Sequence, residues 1–232
     1  MSLFSAVEMA PRDPILGLNE QFNADTNPNK VNLGVGVYFD DNGKLPLLQC
    51  VQAAEKTMMD KPTARGYLPI DGIAAYDNAV KGLVFGADSE PVTSGRVATV
   101  QAIGGTGGLK IGADFLKRVS PNAKVLISDP SWENHRALFT NAGFEVDTYA
   151  YYDAEKRGVN FEGFLASLNA AAAGTIVVLH ACCHNPTGYD ISPAQWDQVI
   201  AVVKAKGLTP FLDMAYQGFG YGIAEDGAVI QK

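Results

Sequence analysis

The sequence has 232 residues, of which 47% are hydrophobic and 19% are charged, a composition typical of a globular protein with one large domain or parts of two. The net charge is −7 without any basic cluster, which argues against a nucleic-acid partner because phosphate backbones attract lysine and arginine. No apolar run is long enough to cross a bilayer, and the N-terminus lacks the pattern of a signal peptide. The three cysteines, Cys50, Cys182 and Cys183, are too few for a disulfide framework, so we expect a cytoplasmic location.

The N-terminal part of the chain has weak periodicity. Apolar spacing predicts a short amphipathic helix within residues 13–25 and two further helices at residues 47–59 and 73–84. Residues 30–38 are rich in β-forming side chains but contain Gly36, which permits a bend or a close approach of the backbone to a ligand.

Strands and helices alternate through the rest of the chain. We predict strands at residues 96–102, 124–128, 144–151, 175–181 and 208–213, and helices at residues 109–119, 161–172 and 193–206 and in the segment that ends at Asn141. Short connections between alternating elements favour a mostly parallel sheet with helices on both faces, a three-layer α/β fold. The alternation stops after the last strand, so we expect a sheet that is incomplete at the C-terminus.

A glycine-rich loop, residues 104–108, is predicted between a strand and a helix. Glycines let the backbone approach an anion, the helix start offers free N–H groups, and Thr106 adds a hydroxyl. The loop has neither the last glycine of GxGxxG nor a Gly-Lys-Ser/Thr ending. This pattern favours a small phosphate ester over a dinucleotide, and a plain tight turn is the alternative.

Polar and aromatic side chains follow three predicted strands. Asp213 ends the last strand and Tyr216 follows it, where ligands of open α/β sheets bind, although a turn-capping aspartate and a packed tyrosine fit the pattern equally well. Trp132 either stacks on a flat ring or packs in the protein. Asn185 can donate its amide to a ligand oxygen.

The cluster of His180, Cys182, Cys183 and His184 permits a metal-site interpretation, which we disfavour. It lacks Cys-x-x-Cys spacing and a second half, and strand alternation divides the side chains between two faces. We therefore predict no metal site. A phosphate cradle, an aromatic plate, an amide and an acid instead suit pyridoxal 5'-phosphate, whose ring nitrogen an aspartate keeps protonated so that the ring can accept electrons.

The sequence contains, in this order, YLPIDG, GGTGGLKIGADFLKR, SDPSWENH, HACCHNPTG and FLDMAYQGF. These motifs resemble the aspartate/aromatic aminotransferase family of fold-type I pyridoxal phosphate enzymes, and the details lean toward its bacterial aromatic (tyrosine) branch. The resemblance extends from residue 13 to about residue 226. It implies that residues 1–45 are an N-terminal arm and the start of a small domain, and that residues 46–232 belong to the cofactor-binding large domain.

The resemblance also implies roles for individual residues. Those that hold the cofactor would be Gly104, Gly105 and Thr106 at the phosphate, Trp132 on the ring, Asn185 and Tyr216 at the ring hydroxyl oxygen, and Asp213 at the pyridine nitrogen. Asp213, Tyr216 and Trp132 would be the catalytic residues of this chain. Gly36, Trp132 and Asn185 would bind the substrate.

The resemblance implies roles for two further residues outside this set. Tyr67 would reach the cofactor phosphate of a neighbouring subunit, which implies a homodimer. His135 would support Asp213 from behind.

One feature of the family pattern is missing from this sequence. The family holds its cofactor as a Schiff base on a lysine in a Ser-x-Ser-Lys type motif, and the sequence contains no such motif. Two arginines, one for the substrate α-carboxylate and one for the phosphate, also belong to the missing part. We therefore interpret the chain as the N-terminal portion of an aminotransferase and expect it to be inactive alone.

The implied reaction of the complete enzyme is amino-group transfer between an aromatic or dicarboxylic L-amino acid and a 2-oxo acid such as 2-oxoglutarate. Three alternatives remain: another fold-type I reaction, a non-catalytic chain that binds cofactor or forms heterodimers, and a nicotinamide dehydrogenase. The dehydrogenase is disfavoured because GxGxxG is absent.

Overall fold

The structure, a computed structural model, describes residues 4–9, 16–32, 34 and 36–232. The chain divides into two compact units, Met1–Gly66 and Tyr67–Lys232. The domain boundary predicted after residue 45 stays a prediction. Within the described residues no helix is long and apolar enough to cross a membrane.

The first unit contains two helices. Helix α1 spans Leu16–Ala24 and helix α2 spans Gln49–Asp60, so both predicted helices are present, although residues 13–15 of the first lie outside the described part. No residue of α2 is buried. The described residues of the β-rich segment 30–38 form no strand, and residues 33 and 35 of this segment are not described.

The second unit carries the sheet and its covering helices. Its helices are α3 Ala74–Phe85, α4 Glu90–Thr93, α5 Gly104–Val119, α6 Glu133–Asn141, α7 Phe161–Ala170, α8 Pro193–Lys206 and α9 Ile223–Gly227, followed by a 3-10 turn, Ala228–Gln231. Its strands are β1 Lys124–Asp129, β2 Glu145–Ala150, β3 Tyr152–Asp153, β4 Gly158–Val159, β5 Ile176–His180 and β6 Thr209–Asp213. Four of the five predicted strands are therefore confirmed to within two residues at each end.

The main sheet has the strand order β2-β1-β5-β6, and every pair of neighbours is parallel. The chain moves outward from β1 to β2 and then crosses back to place β5 on the other side of β1. The direction of winding thus reverses between β1 and β5, where the connections leave a crevice at the carboxyl ends of the strands. The predicted parallel sheet is confirmed.

Two hydrophobic clusters cover opposite faces of the sheet. One contains Phe164 of α7 and Val199 of α8, and the other contains Ala113 of α5 and Phe139 of α6. Strand β5 serves both, since Val177 and Leu179 belong to the first cluster and Ile176 and Val178 to the second. A strand that is buried on both faces needs apolar side chains at successive positions, and this explains the uninterrupted apolar run of β5.

The ends of α8 follow the sequence signals. Ser192 accepts a hydrogen bond from the Gln195 N–H, and the Gln195 side chain accepts one from the Ser192 N–H, and together these two bonds form a capping box. Gly207 ends the helix with φ 62° and ψ 39°, a left-handed conformation that glycine adopts without a steric penalty.

Two predictions about the approach to α5 are wrong. Residues 96–102 form no strand within the described part, because no neighbouring strand there supplies the ladder of hydrogen bonds that an extended segment requires. The Gln101 N–H instead donates to the Asp71 carbonyl over 2.8 Å. The glycine-rich residues 104–108 are not a loop but the first turns of α5, which begins five residues earlier than its apolar pattern indicates.

A substitution of Phe139 tests the assignment of the hydrophobic core between the sheet and helices α5 and α6. Its side chain is fully buried, and its ring lies 5.4 Å from that of Phe211 between centroids. We expect Phe139→Ala to lower the free energy of unfolding by about 3–5 kcal/mol, because the change leaves a cavity in a packed core. Urea denaturation measures this loss. Phe115, which is 61% exposed, is the matched control, and Phe115→Ala should change stability by less than about 0.5 kcal/mol; equal losses would contradict the assignment of the core.

Candidate functional site

A small cavity lies at the carboxyl edge of the sheet, where β1, β5 and β6 end. It is lined by residues that follow these strands and by the start of α5: Gly105, Leu109, Trp132, His180, Cys182, Asn185, Asp213, Ala215 and Tyr216. The structure therefore brings together five of the residues that the resemblance implies for cofactor binding, Gly105, Trp132, Asn185, Asp213 and Tyr216, which come from four separate segments. The position agrees with the crevice expected where the winding of the sheet reverses.

A buried histidine orients the carboxylate of this cavity. Nε2 of His135 lies 2.7 Å from Oδ2 of Asp213, and Nδ1 of the same ring lies 2.9 Å from the Ser131 hydroxyl. A carboxylate only accepts hydrogen bonds, so Nε2 donates, and in a neutral ring Nδ1 then accepts from Ser131. The His135 side chain is 0% exposed. The Asp213 side chain is therefore fixed from behind by a group that water does not reach.

Trp132 lies beside this pair. Its ring meets the His135 ring edge-on, with centroids 5.4 Å apart and planes at 90°. Because Trp132 also lines the cavity, the carboxylate and the indole are neighbours at the place where a ligand would bind. An acid and an aromatic plate can together hold a flat ring with a protonated nitrogen.

The start of α5 offers unpaired backbone donors next to the cavity. Its first hydrogen bond runs from the Gly107 N–H to the Ile103 carbonyl, so the N–H groups of Gly104, Gly105 and Thr106 have no partner within the helix. A Cβ at Gly104 or Gly105 would meet nothing within 4 Å, which shows open space above this backbone. Free N–H groups and the positive end of the helix dipole are suited to an anion.

Two histidines pack beneath the loop that carries Asn185. Both ring nitrogens of His184 form hydrogen bonds, Nε2 with the Ser128 hydroxyl over 2.9 Å and Nδ1 with the Thr187 hydroxyl over 2.8 Å. The ring also stacks on that of Tyr151, with the ring centroids 3.9 Å apart. Burial lowers the pKa of His184 to about 3 and that of His180 to about 4. Both rings are thus neutral at pH 7, and Nδ1 of His180 is a buried atom without a hydrogen-bond partner in the described part of the chain.

Two aspartates that the sequence analysis missed shape the loops of the site. Asp190 accepts the backbone N–H groups of Cys183 and His184, over 2.7 and 2.8 Å, and so holds the turn before Asn185. Asp226 does the same after Tyr216. No sequence period marks such residues, because each one serves a single irregular loop.

Asp226 binds the segment that descends from Tyr216. Its carboxylate accepts N–H groups of Gly218, Gly220 and Tyr221 over 2.8 to 2.9 Å. Burial acts to raise the pKa of Asp226, but these hydrogen bonds outweigh it and lower the pKa. A Cβ at Gly220 would lie 2.7 Å from Oδ1 of Asp226, so the close approach of the carboxylate requires glycine at this position.

Other predicted site residues are not in the cavity. Gly104 and Thr106 lie in the first turn of α5 but are not lining residues. The Tyr67 side chain is fully exposed, and Gly36 belongs to the first compact unit. The roles of all these residues stay predictions.

The residues of the disfavoured metal interpretation do not form one cluster: His180 belongs to one group of possible ligands, Cys182 and Cys183 belong to another, and His184 belongs to neither group in the described part of the chain. Ligand atoms of His135, His180 and Asp213 lie within 4.8 Å of one another, and so do those of Cys182, Cys183 and Asp226. His180 and Asp213 of the first group line the cavity described above, and so does Cys182 of the second group.

The fold and the site define an α/β protein with a ligand cavity at the carboxyl edge of a parallel sheet. Residues 28–230 match the family model for aminotransferase class I and II. The chain belongs to this family.

The comparisons with individual proteins agree with this assignment. The chain is 66% identical to an aspartate aminotransferase of Pseudomonas aeruginosa over 100% of its own length, and 49% identical to an aromatic-amino-acid aminotransferase of Escherichia coli over 99%. It spans 58% of the length of each of these relatives. A solved aromatic-amino-acid aminotransferase of Burkholderia pseudomallei, covalently bound to pyridoxal phosphate, is 67% identical with a TM-score of 0.95, over 100% of this chain and 58% of that one.

The neutral histidines predict a loss of stability in mild acid. The unfolded chain takes up a proton at His184 near its ordinary pKa of about 6.5, whereas the folded chain does so only near pH 3. The free energy of unfolding should therefore fall as the pH drops below about 6.5, by about 2 kcal/mol at pH 5 from this residue. Urea denaturation between pH 7.5 and 5 measures the slope.

His184→Gln is the comparison for this measurement. The variant should be less stable at pH 7.5, because it loses the buried ring, but its stability should change less between pH 7.5 and 5. Parallel slopes in the two proteins would show that His184 is not held neutral by the fold.

Proposed function

We propose that this chain binds pyridoxal 5'-phosphate at the carboxyl edge of its sheet. The whole protein would transfer an amino group between an aromatic or dicarboxylic L-amino acid and a 2-oxo acid. The observation that carries this proposal is the buried His135–Asp213 hydrogen bond of 2.7 Å, which presents an acid to a cavity walled by an indole. A ring with a protonated nitrogen is the ligand that such an acid stabilises best.

The cavity residues fit this cofactor in their chemistry. His135 occupies Oδ2 of Asp213 and leaves Oδ1 without a hydrogen-bond partner among the described residues. The cavity also holds the amide of Asn185 and the side chain of Tyr216, two groups that can hydrogen-bond a ring hydroxyl oxygen. The unpaired N–H groups of residues 104–106 would hold the phosphate, and Thr106 would add its hydroxyl.

When bound, pyridoxal phosphate supplies an electron-accepting ring to the reaction. Asp213 would keep the ring nitrogen protonated, and His135 would keep Asp213 pointed at it, with Ser131 fixing the histidine in turn. Trp132 would cover one side of the ring and exclude water from it. Asn185 and Tyr216 would set the orientation of the ring in its own plane.

Several finer points complete the proposal. Gly36, Trp132 and Asn185 would contact the substrate, and Tyr67 would bind the phosphate of the partner in a homodimer. The full exposure of the Tyr67 side chain in the single chain supports this last role, because a residue that serves another subunit has no partner in its own. Residues 1–45 and 46–232 would belong to different domains. The free cysteines fit a cytoplasmic location.

The substrate preference is proposed as aromatic with activity toward dicarboxylic amino acids. Relatives named for aspartate and for aromatic amino acids match the chain at 66% and 49% identity, which supports a dual specificity. The catalytic lysine would come from a Ser-x-Ser-Lys type motif, which this sequence does not contain. We therefore propose that the 232-residue chain does not catalyse transamination by itself.

Cofactor binding to the 232-residue chain tests the first part of the proposal. We expect the chain to bind pyridoxal phosphate, and Asp213→Asn to weaken binding at least about tenfold, since one charged partner of a desolvated pair is lost. Titration followed by cofactor absorbance measures the affinity. The matched control is Asp114→Asn, an exposed aspartate of α5 that pairs with Lys110, which should bind as the unaltered chain does. Equal weakening in both variants would contradict the role of Asp213.

Enzyme assays test the second part. A protein that contains this chain together with the lysine motif should transfer the amino group of tyrosine and, more slowly, that of aspartate to 2-oxoglutarate. The 232-residue chain should show no turnover with either donor. Negligible tyrosine activity in the longer protein would overturn the aromatic preference, and turnover by the 232-residue chain would overturn the requirement for the lysine.

A further inference from the structure

A second cavity, of about 470 Å³, lies next to the loop that follows β5. Its walls include the apolar side chains of Ile191 and Trp196, but three acids also line it, Asp190, Glu225 and Asp226. A hydrated metal ion occupies far less than this volume. The cavity therefore combines room for an ion with a negative lining.

Two thiols adjoin one of these acids. Cys182 lines the cavity together with Asp226, and Cys183 is its neighbour in sequence. The two sulfur atoms and one carboxylate oxygen of Asp226 lie within 4.8 Å of one another. The acids and thiols come from the loop after β5 and from α9, so the group joins two separate segments of the chain.

We propose that Cys182, Cys183 and Asp226 form a binding site for a thiophilic divalent cation such as Zn²⁺ or Cd²⁺. Two thiolates and one carboxylate are a ligand set that such ions accept, with water in the fourth position of a tetrahedron. The inference does not depend on the proposed cofactor.

The distances are compatible with metal binding after small side-chain movements. Zinc binds sulfur at about 2.3 Å and carboxylate oxygen at about 2.0–2.2 Å, so ligand atoms of a tetrahedral site lie about 3.5–3.8 Å apart. The present separations of up to 4.8 Å exceed this by about 1 Å. Cys183 can supply the movement, since its sulfur makes only weak contacts, a long one of 3.9 Å to the Tyr216 carbonyl and one with the Cys182 thiol.

The charges balance without an oxidant or a reductant. The cation displaces one proton from each thiol, the protons pass to solvent, and two metal–sulfur bonds and one metal–oxygen bond form. The dication with two thiolates and one carboxylate has a net charge of −1, the same as Asp226 has alone. The nearby cation Lys232 does not compete for this carboxylate, because it pairs with Asp197 over 2.6 Å.

The site adjoins the first cavity. Cys182 lines both cavities, and Asp226 holds the backbone of Gly218, Gly220 and Tyr221 just after Tyr216. Metal binding would pull on the two loops that carry Asn185 and Tyr216. A cation at this site would thus change the geometry of the first cavity without binding in it.

Cadmium titration of the purified 232-residue chain tests the proposal. We expect one ion per chain to bind with an ultraviolet thiolate-to-cadmium charge-transfer band. Cys182→Ser and Cys183→Ser should each weaken cadmium binding at least about tenfold. Removing a direct ligand should weaken binding at least as much as removing a residue that only supports a ligand. The matched control is Cys50→Ser, since Cys50 is exposed and lies in the other compact unit; it should bind as the unaltered chain does.

A labelling experiment on the unaltered chain avoids any dependence on the folding of variants. Cadmium should slow the reaction of Cys183 with a maleimide, read by peptide mass spectrometry, and leave the reaction of Cys50 unchanged. The proposal is overturned by a titration without a saturable band, by a band that survives in the Cys182→Ser, Cys183→Ser double variant, or by equal protection of Cys50. Binding at His135 and His180 instead would bring no thiolate band and would also overturn it.

Discussion

The hydrogen bond between His135 and Asp213 is the constraint on which the site depends. It joins α6 to the end of β6 across 78 positions of sequence, and it does so where no water reaches the histidine. An acid at the end of a buried strand would otherwise be free to turn toward solvent. The imidazole of His135 holds the carboxylate, and Ser131 holds the imidazole. The carboxylate is therefore kept pointing into the cavity.

Much of the sheet was predictable because its strands and covering helices have signals in the local sequence. Strand β5 is buried on both faces and therefore reads as an unbroken apolar run, and α8 carries its capping box and its terminal glycine in the local sequence. The segment 96–102 has similar β-forming composition yet forms no strand in the described part of the chain. A strand exists only with a neighbour, and local sequence does not state whether a neighbour is present.

The candidate site was predictable in its side chains and less so in its supports. Trp132, Asn185, Asp213 and Tyr216 stand at strand ends, where the fold itself directs attention. Asp190 and Asp226 were missed because each satisfies a few backbone N–H groups in one irregular loop, which leaves no periodic trace. The start of α5 was mistaken for a loop because glycine has a low helix propensity, although free N–H groups at a helix start need no side chain.

The order of the strands has a consequence for how the chain folds. Residues of the cavity extend from Gly105 to Tyr216, and the pairing of β1 with β5 brings together segments that are distant in sequence, with Val125 opposite Ile176. Such non-local parallel pairing is slow, because the chain loses the entropy of closing a long loop before the stabilising contacts between the strands form. We therefore expect the cavity to be among the last features to form during folding. A chain whose helices have formed but whose strands have not yet paired would contain every residue of the site but would not form the cavity.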